Sequence, residues 1–220
     1  MINIMVVDDH ELVRYGIVSL LKAQAGIHVL AEASTGEQAL ELCRKHKDDL
    51  NVVLMDINMP GIGGMEATSR IVRQWPHLGI IIITVHGDGP LPKKLLQAGA
   101  RGYLTKGNGV AEMLQAIQDV SQGGRYIAKD IAQTLALSML PGDDDNLLDR
   151  LSKRELQVLM MIAQGQKTQE ISETLNISPK TVSTYRMRLH EKLEVATDVE
   201  MLHLAMKHGI LDESTRLNNH

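Results

Sequence analysis

Residues 80–84 read Ile80-Ile81-Ile82-Ile83-Thr84. Four β-branched apolar residues in succession, with no polar alternation, suit a strand buried on both faces. Such a strand belongs in the middle of a parallel sheet with helices on either side. The flanking sequence supplies the rest of that sheet. Short β-rich runs recur at 3–7, 28–33, 51–55 and 102–104, and amphipathic stretches lie between them near 11–23, 36–46, 64–74, 92–98 and 110–122. The last has the helical period, with Val110, Met113, Leu114, Ile117 and Val120 on one face. Five strands alternating with five helices predict a doubly wound α/β domain with a five-stranded parallel sheet.

Ligands of open parallel sheets sit at the carboxyl ends of the strands. Here the first strand ends in Asp8-Asp9, the third in Asp56 and the fourth in Thr84, and Lys106 follows the fifth. Three carboxylates in one crevice repel, and a hard divalent cation relieves that. Mg²⁺ accepts two carboxylates and a carbonyl while keeping several waters. The same cation gathers a phosphoryl group beside a carboxylate nucleophile, with Lys106 pairing its oxygens and Thr84 donating a hydrogen bond. Helix capping and solubility account for any one of these Asp residues. They do not account for all five positions at their strand ends.

These segments resemble a known family. Val6-Val7-Asp8-Asp9-His10, the run from Leu54-Met55-Asp56 through Asn58 to Pro60-Gly61, Thr84, and Gly102-Tyr103-Leu104-Thr105-Lys106 are similar to the receiver signature of bacterial two-component response regulators. The resemblance implies a flavodoxin-like (CheY-like) receiver over 1–123. It implies that Asp56 takes a phosphoryl group from a sensor histidine kinase. Asp9, Asp56 and the backbone carbonyl of Asn58 would hold Mg²⁺, with Asp8 acting through water. Thr84 and Tyr103 match the pair that carries the switch, Tyr103 turning inward as Thr84 moves to the phosphoryl oxygen. Gly107 stands where many receivers have proline, which implies a looser loop. Val85, after Thr84, is bulkier than usual, and Asn58 and His86 fall where phosphoryl lifetime is tuned.

Charge divides the chain. It has 220 residues and a net charge of −4. Residues 1–149 hold 13 Lys+Arg against 18 Asp+Glu, while 150–193 hold 8 against 4. An acidic front and a basic segment behind it suit a regulatory domain followed by a nucleic-acid domain. No apolar run reaches the roughly 18 residues of a membrane helix, and no basic leader precedes the first strand, so a cytoplasmic location without membrane contact is expected. The lone Cys43, at helical spacing from Ala39 and Leu40, is expected to be a buried hydrophobe.

After Gly123-Gly124 a short helix is expected over 127–140, and the breaker 141–146 reads as a linker, so 124–150 joins two domains. From Leu151 on, the pattern is helical. Ser152 and Glu155 form a capping box, Leu151 and Leu156 a hydrophobic staple, and Gly165 ends that helix. Met160-Met161 reads as core packing. Thr168 is expected to cap a second helix, with a turn at Asn176-Ile177. Ser178 with Pro179 begins a third helix running to Leu193. This is a helix-turn-helix over 151–212, leaving a tail at 213–220. Its third helix would present Lys180, Ser183, Thr184 and Met187 to the major groove. Thr181, Tyr185, Arg188 and Lys192, with Lys153 and Lys167, are placed for phosphates.

Leu151-Ser152-x-Arg154-Glu155, Ser178-Pro179-Lys180-Thr181-Val182 and Lys192-Leu193 resemble the LuxR-type domain of the NarL/FixJ family. That resemblance implies a homodimer when phosphorylated, through a fourth helix bearing Val199, Leu202 and Met206, and a palindromic DNA site. Pro90-Leu91-Pro92, Gln97-Ala98-Gly99-Ala100 and Arg125-Tyr126-Ile127-Ala128 resemble the GacA/UvrY/LetA group of that family. It implies a BarA/GacS-type hybrid kinase, or its phosphotransfer domain, as donor. It also implies small regulatory RNA genes as targets. Two rivals stand beside it. A Mg²⁺-dependent phosphohydrolase would share the aspartyl nucleophile, but Asn58 occupies its general-acid position. A receiver whose helical domain binds protein or RNA would share the front half.

Overall fold

The computed structural model describes residues 1–85, 87, 89–137, 147–208 and 210. These divide into two compact units, one within 1–85 and 92–133, the other within 86–91 and 134–220. His86, the linker at 141–146 and the tail from 213 lie outside the described residues.

The first unit is a parallel sheet wrapped by helices. Its strands are β1 (Ile2–Val7), β2 (Ile27–Ala33), β3 (Val52–Met55), β4 (Gly79–Thr84), β5 (Gly102–Thr105) and β6 (Tyr126–Ile127), in the order β2-β1-β3-β4-β5-β6. Helices α1 (Glu11–Lys22), α2 (Gly36–Lys45), α3 (Gly63–Gln74), α4 (Leu91–Gln97) and α5 (Val110–Ser121) connect them. Every residue of β3 and β4 is buried, as an apolar run without alternation requires. Cys43 is buried inside α2, and burial pushes its thiol up to about 12. The chain winds to one side of β1 first and to the other side afterwards. The switch point falls between β1 and β3, at whose ends Asp8, Asp9 and Asp56 stand.

The sheet has a sixth strand beyond the five expected. Tyr126 N–H donates to Arg101 at 2.9 Å and Ala128 N–H to Tyr103 at 3.0 Å, so the segment expected to open a helix at 127 first adds an edge strand. The helix, α6 (Lys129–Leu137), starts two residues later. Two residues are too few for a period to register in sequence. The turn that delivers them uses Gly123, at φ +86°, and Gly124, where a Cβ would lie 2.9 Å from the Asp119 carbonyl oxygen.

The second unit is helical: a 3-10 turn (Leu147–Arg150), α7 (Lys153–Ala163), α8 (Thr168–Leu175), α9 (Pro179–Leu193) and α10 (Asp198–Lys207). Leu148 is fully buried, so 147–150, expected in the linker, packs as part of this unit. The capping box at Ser152 is present in both directions, 3.2 Å to Glu155 N–H and 2.8 Å back. The start of α8 differs from expectation. Its cap position is Lys167, whose side chain has no acceptor. Glu170 alone closes that end, accepting from Lys167 N–H at 2.7 Å, and Thr168 is the first helical residue. Asn176 adopts the left-handed conformation at φ +53° and makes the turn into α9, which Ser178 caps at the N–H of Thr181. Leu156, Leu159, Ile171, Val182, Leu189, Leu193, Met201 and Ala205 form the core, with Met160 and Met161 beside them. Among the described residues no helix is long and apolar enough to cross a membrane.

Candidate functional site

Asp8 and Asp56 end up side by side because β1 and β3 pair in register, Val7 opposite Met55. Backbone bonds hold them there: Asp8 N–H donates to Ala33 and Asp56 N–H to Val7. Arg14, one turn into α1, donates to the Asp8 carbonyl at 2.6 Å. Asp8 and Asp56 are buried and Asp9 is half-buried. Lys106 enters from the end of β5, its backbone N–H bonded to the Thr84 carbonyl at 2.6 Å. Its ammonium lies 2.8 Å from Asp8 Oδ2 and 3.3 Å from Asp56 Oδ1. Thr84 is fully buried at the end of β4.

The electrostatics follow from that crowding. Burial pushes the Asp56 carboxyl up to about 7, Asp8 and Asp9 add to the rise, and Lys106 opposes it. Asp9 is also raised, chiefly by burial. Burial works against the charged form of Lys106, but Asp56 and Asp8 together outweigh it and raise the ammonium above its ordinary value. The cluster is short of positive charge.

Asp8, Asp9, His10 and Asp56 each place one ligand atom within 4.8 Å of the others. Asp9 Oδ1 and Asn58 Oδ1 are buried without a hydrogen-bond donor. Orphaned oxygens beside buried carboxylates fit a hard divalent cation, which satisfies several lone pairs at once. His10 belongs to this cluster and was not expected there. Its only sequence signal is that it directly follows the acidic pair.

The loop after β5 is tied down although Gly107 replaces the usual proline. Asn108 Oδ1 accepts from Thr105 N–H at 2.6 Å and from its hydroxyl at 3.0 Å, and Asn108 Nδ2 donates to Glu112 at 2.7 Å. Tyr103 is fully buried on β5. Val85 is about half exposed, beyond the end of β4.

On the helical unit, Lys180, Ser183, Met187 and Arg188 lie on the open face of α9, with Thr181, Thr184 and Tyr185 half-buried beside them. Ser183 and Thr184 turn their hydroxyls back onto the carbonyls of Pro179 and Lys180, at 3.1 and 3.0 Å, so their acceptor lone pairs face outward. Lys192 departs from expectation. Its ammonium is held by Glu155 at 2.7 Å and by the Arg150 carbonyl at 3.3 Å, which makes it an internal strut. Arg154 braces the motif, donating to Gln157 at 2.7 Å and to the Leu175 carbonyl at the end of α8 at 3.1 Å. On α10, Met201 and Ala205 are buried, while Val199 is exposed and Leu202 and Met206 are half-buried.

An acid-rich switch point on a doubly wound sheet, followed by a helix-turn-helix, defines a phosphoryl-responsive regulator of transcription. The sequence matches the family "Response regulator receiver domain" over residues 4–118 and "Bacterial regulatory proteins, luxR family" over 149–205. The chain belongs to the two-component response regulators that carry a LuxR-type DNA-binding domain. It is 52% identical to the response regulator UvrY of Escherichia coli K12 over 98% of both chains. It is 50% identical to the response regulator GacA of Pseudomonas aeruginosa PAO1, over 98% of this chain and all of that one. Among solved structures it resembles RcsB from Salmonella enterica serovar Typhimurium bound to promoter rprA with the phosphomimetic BeF3⁻, with TM-score 0.75 and 27% identity over 94% of this chain and 99% of that one.

Proposed function

We propose that Asp56 is the phosphoryl acceptor and that its phosphorylation controls dimerisation and sequence-specific DNA binding. The observation that carries this reading is the buried Asp56 carboxylate, 3.3 Å from the Lys106 ammonium and beside the undonated oxygen of Asp9. Asp9, Asp56 and the Asn58 carbonyl would hold Mg²⁺, with Asp8 acting through water. When bound, the cation neutralises charge on the transferred group and orients it. An Asp56 carboxylate oxygen forms the new bond to phosphorus as the phosphorus–nitrogen bond to the donor histidine breaks. Lys106 and the Thr84 hydroxyl hold the incoming oxygens, and Tyr103 occupies the space that Thr84 leaves.

The output is read by α9. Lys180, Ser183, Thr184 and Met187 face base edges, and Thr181, Tyr185 and Arg188 face phosphates. The receiver comprises 1–123 with the edge strand at 126–127, the helix-turn-helix unit begins with the turn at 147–150 and extends to 212, and 213–220 is the tail. The donor is a BarA/GacS-type hybrid kinase or its phosphotransfer domain, and the site on DNA is palindromic and bound by a homodimer. The likeness to the response regulators UvrY and GacA supports placing the chain in the group whose resemblance implied that donor, and with it small regulatory RNA genes as targets. A chain that must reach DNA works in the cytoplasm. It is not an enzyme, because Asn58 offers no acid to a leaving group.

The test is sedimentation and duplex binding of the full chain with and without a small phosphodonor. Phosphodonor should raise both dimer fraction and palindrome affinity, and Asp56→Ala should abolish the response while folding normally. An unimpaired response in Asp56→Ala would overturn the assignment. Many turnovers on simple phosphate esters would favour the phosphohydrolase instead.

A further inference from the structure

The helical unit holds a cavity of about 360 Å³ between the end of α7, the loop that follows it and the start of α10. That volume lies within the range of small-ligand pockets, roughly 300–1,000 Å³. Leu159, Ile162, Ala163, Val199 and Leu202 give it apolar walls. Arg186 and Lys167 line it with positive charge, against the single acid Asp198. Arg186 shares the inner side of α9 with the buried Val182 and Leu189, so the cavity lies away from the open face of that helix. The Arg186 guanidinium is short of partners. Its Nε is buried without a hydrogen bond, and its Nη1 stands 3.6 Å from Asp198 Oδ2, too far for one. Asp198 is already engaged through its other oxygen, 2.9 Å from His190 Nε2.

A guanidinium only donates, so an acceptor must come from outside it, and an unsatisfied buried donor marks a missing partner. The side chain keeps 34% of its surface exposed, which leaves its outer nitrogens within reach of a group entering the cavity. Water satisfies a guanidinium but gains nothing from apolar walls. An anion with a hydrocarbon part satisfies both. We propose that this cavity binds a small amphipathic monocarboxylate. Its carboxylate pairs with the outer nitrogens of Arg186, Lys167 adds a point charge, and its hydrocarbon lies against Leu159, Ile162, Val199 and Leu202. The site lies wholly in the helical unit and is independent of the reading of Asp56.

The experiment titrates decanoate into the full chain, with affinity read by calorimetry and location by amide chemical shifts. Saturable binding is expected, with shifts centred on residues 159–167, 186 and 198–202. Decanol, which keeps the tail and lacks the charge, should bind about tenfold more weakly, and acetate, which keeps the charge and lacks the tail, weaker still. Arg186→Gln should raise the dissociation constant for decanoate about tenfold and leave that for decanol unchanged, a split that a purely structural role of the arginine does not produce. Ala163→Leu fills the cavity while keeping Arg186, and should remove binding of both molecules, which keeps the test open if Arg186→Gln fails to fold. Absence of saturable binding, shifts centred elsewhere, equal affinity for decanoate and decanol, or undiminished binding in Ala163→Leu overturns the proposal.

Discussion

Lys192 Nζ lies 2.7 Å from Glu155 Oε2, joining the last turn of α9 to the first turn of α7. The Glu155 side chain is almost fully buried, so this is a support inside the helix-turn-helix and not a charge offered to DNA. Removing Lys192 strands a buried carboxylate that keeps only its bonds from Ser152. Lys192→Met is expected to lower the stability of the helical unit by roughly 1–3 kcal/mol, read from urea denaturation. The slope of log affinity against log salt for duplex binding should stay as in the parent. Lys180→Ala should do the reverse, reducing the slope by about 1 with little change in stability. A reduced slope in Lys192→Met would return this residue to the phosphate-contacting set.

The same pair makes a pH prediction. Burial pushes the Glu155 carboxyl up, but Lys192 and the Ser152 donors outweigh it and hold the group below its ordinary value. A carboxyl depressed on folding stabilises the native state fully above its unfolded pKa of about 4.3 and loses that contribution as pH falls through the folded value. The difference in stability between the parent and Glu155→Gln is therefore expected to be constant from neutral pH down to about 4.5 and to shrink below it. Taking the difference cancels the other carboxylates, including Asp56. A difference independent of pH down to the acid transition would show that the pair contributes nothing on folding.

How much of this was legible in sequence depends on distance along the chain. The strand ends were readable because each required residue abuts its own apolar run, as Asp56 follows Val52–Met55. The capping box at Ser152 and the turn at Asn176 were readable because both partners lie within four residues. Lys192 was misplaced because its partner is 37 positions away and helical phase alone puts it near the exposed side. His10 was missed because nothing local separates a member of the acidic cluster from a plain residue at a helix start. The edge strand β6 escaped because two residues carry no period. Lys192 is a long-range contact and β6 a very short element, while the start of α8 was displaced by one residue because Glu170 closes that end where a Thr168 cap was expected.

Gly64 and Gly16 test the approach of α3 to the site. A Cβ at Gly64 would stand 1.9 Å from the Asp56 carbonyl oxygen and 2.8 Å from Ile57 Cα, both backbone atoms that have no rotamer with which to yield. Gly64→Ala is expected to destabilise the receiver by at least about 1–3 kcal/mol, by displacing the segment that carries Asp56 and Asn58. Cation affinity should fall with it. Gly16, inside α1, has nothing within 4 Å of its Cβ position, and Gly16→Ala should stabilise by about 0.5–1 kcal/mol. Calorimetric melting of the two variants checks both signs, and an unaffected Gly64→Ala would mean that α3 can withdraw from Asp56 freely.

Lys106 supplies the last prediction, because it competes with a cation for the same oxygens. Its ammonium sits closer to Asp8 than to Asp56, at 2.8 against 3.3 Å, and is the cluster's principal buried positive charge among the described residues. Replacing it by Met leaves Asp8, Asp9 and Asp56 to repel one another with less compensation. Without divalent cation, Lys106→Met should therefore melt below the parent protein. Mg²⁺ should restore more stability to the variant than it adds to the parent, since stabilisation by a ligand grows with the logarithm of its affinity for the folded state. The dissociation constant for Mg²⁺ should tighten about tenfold, equivalent to about 1.4 kcal/mol. Phosphodonor-driven dimerisation should be lost at the same time, because the oxygens of the phosphoryl group lose their ammonium partner. Weaker Mg²⁺ binding in Lys106→Met would mean that the lysine organises the carboxylates for the cation instead of competing with it, and calorimetric titration distinguishes the two directly.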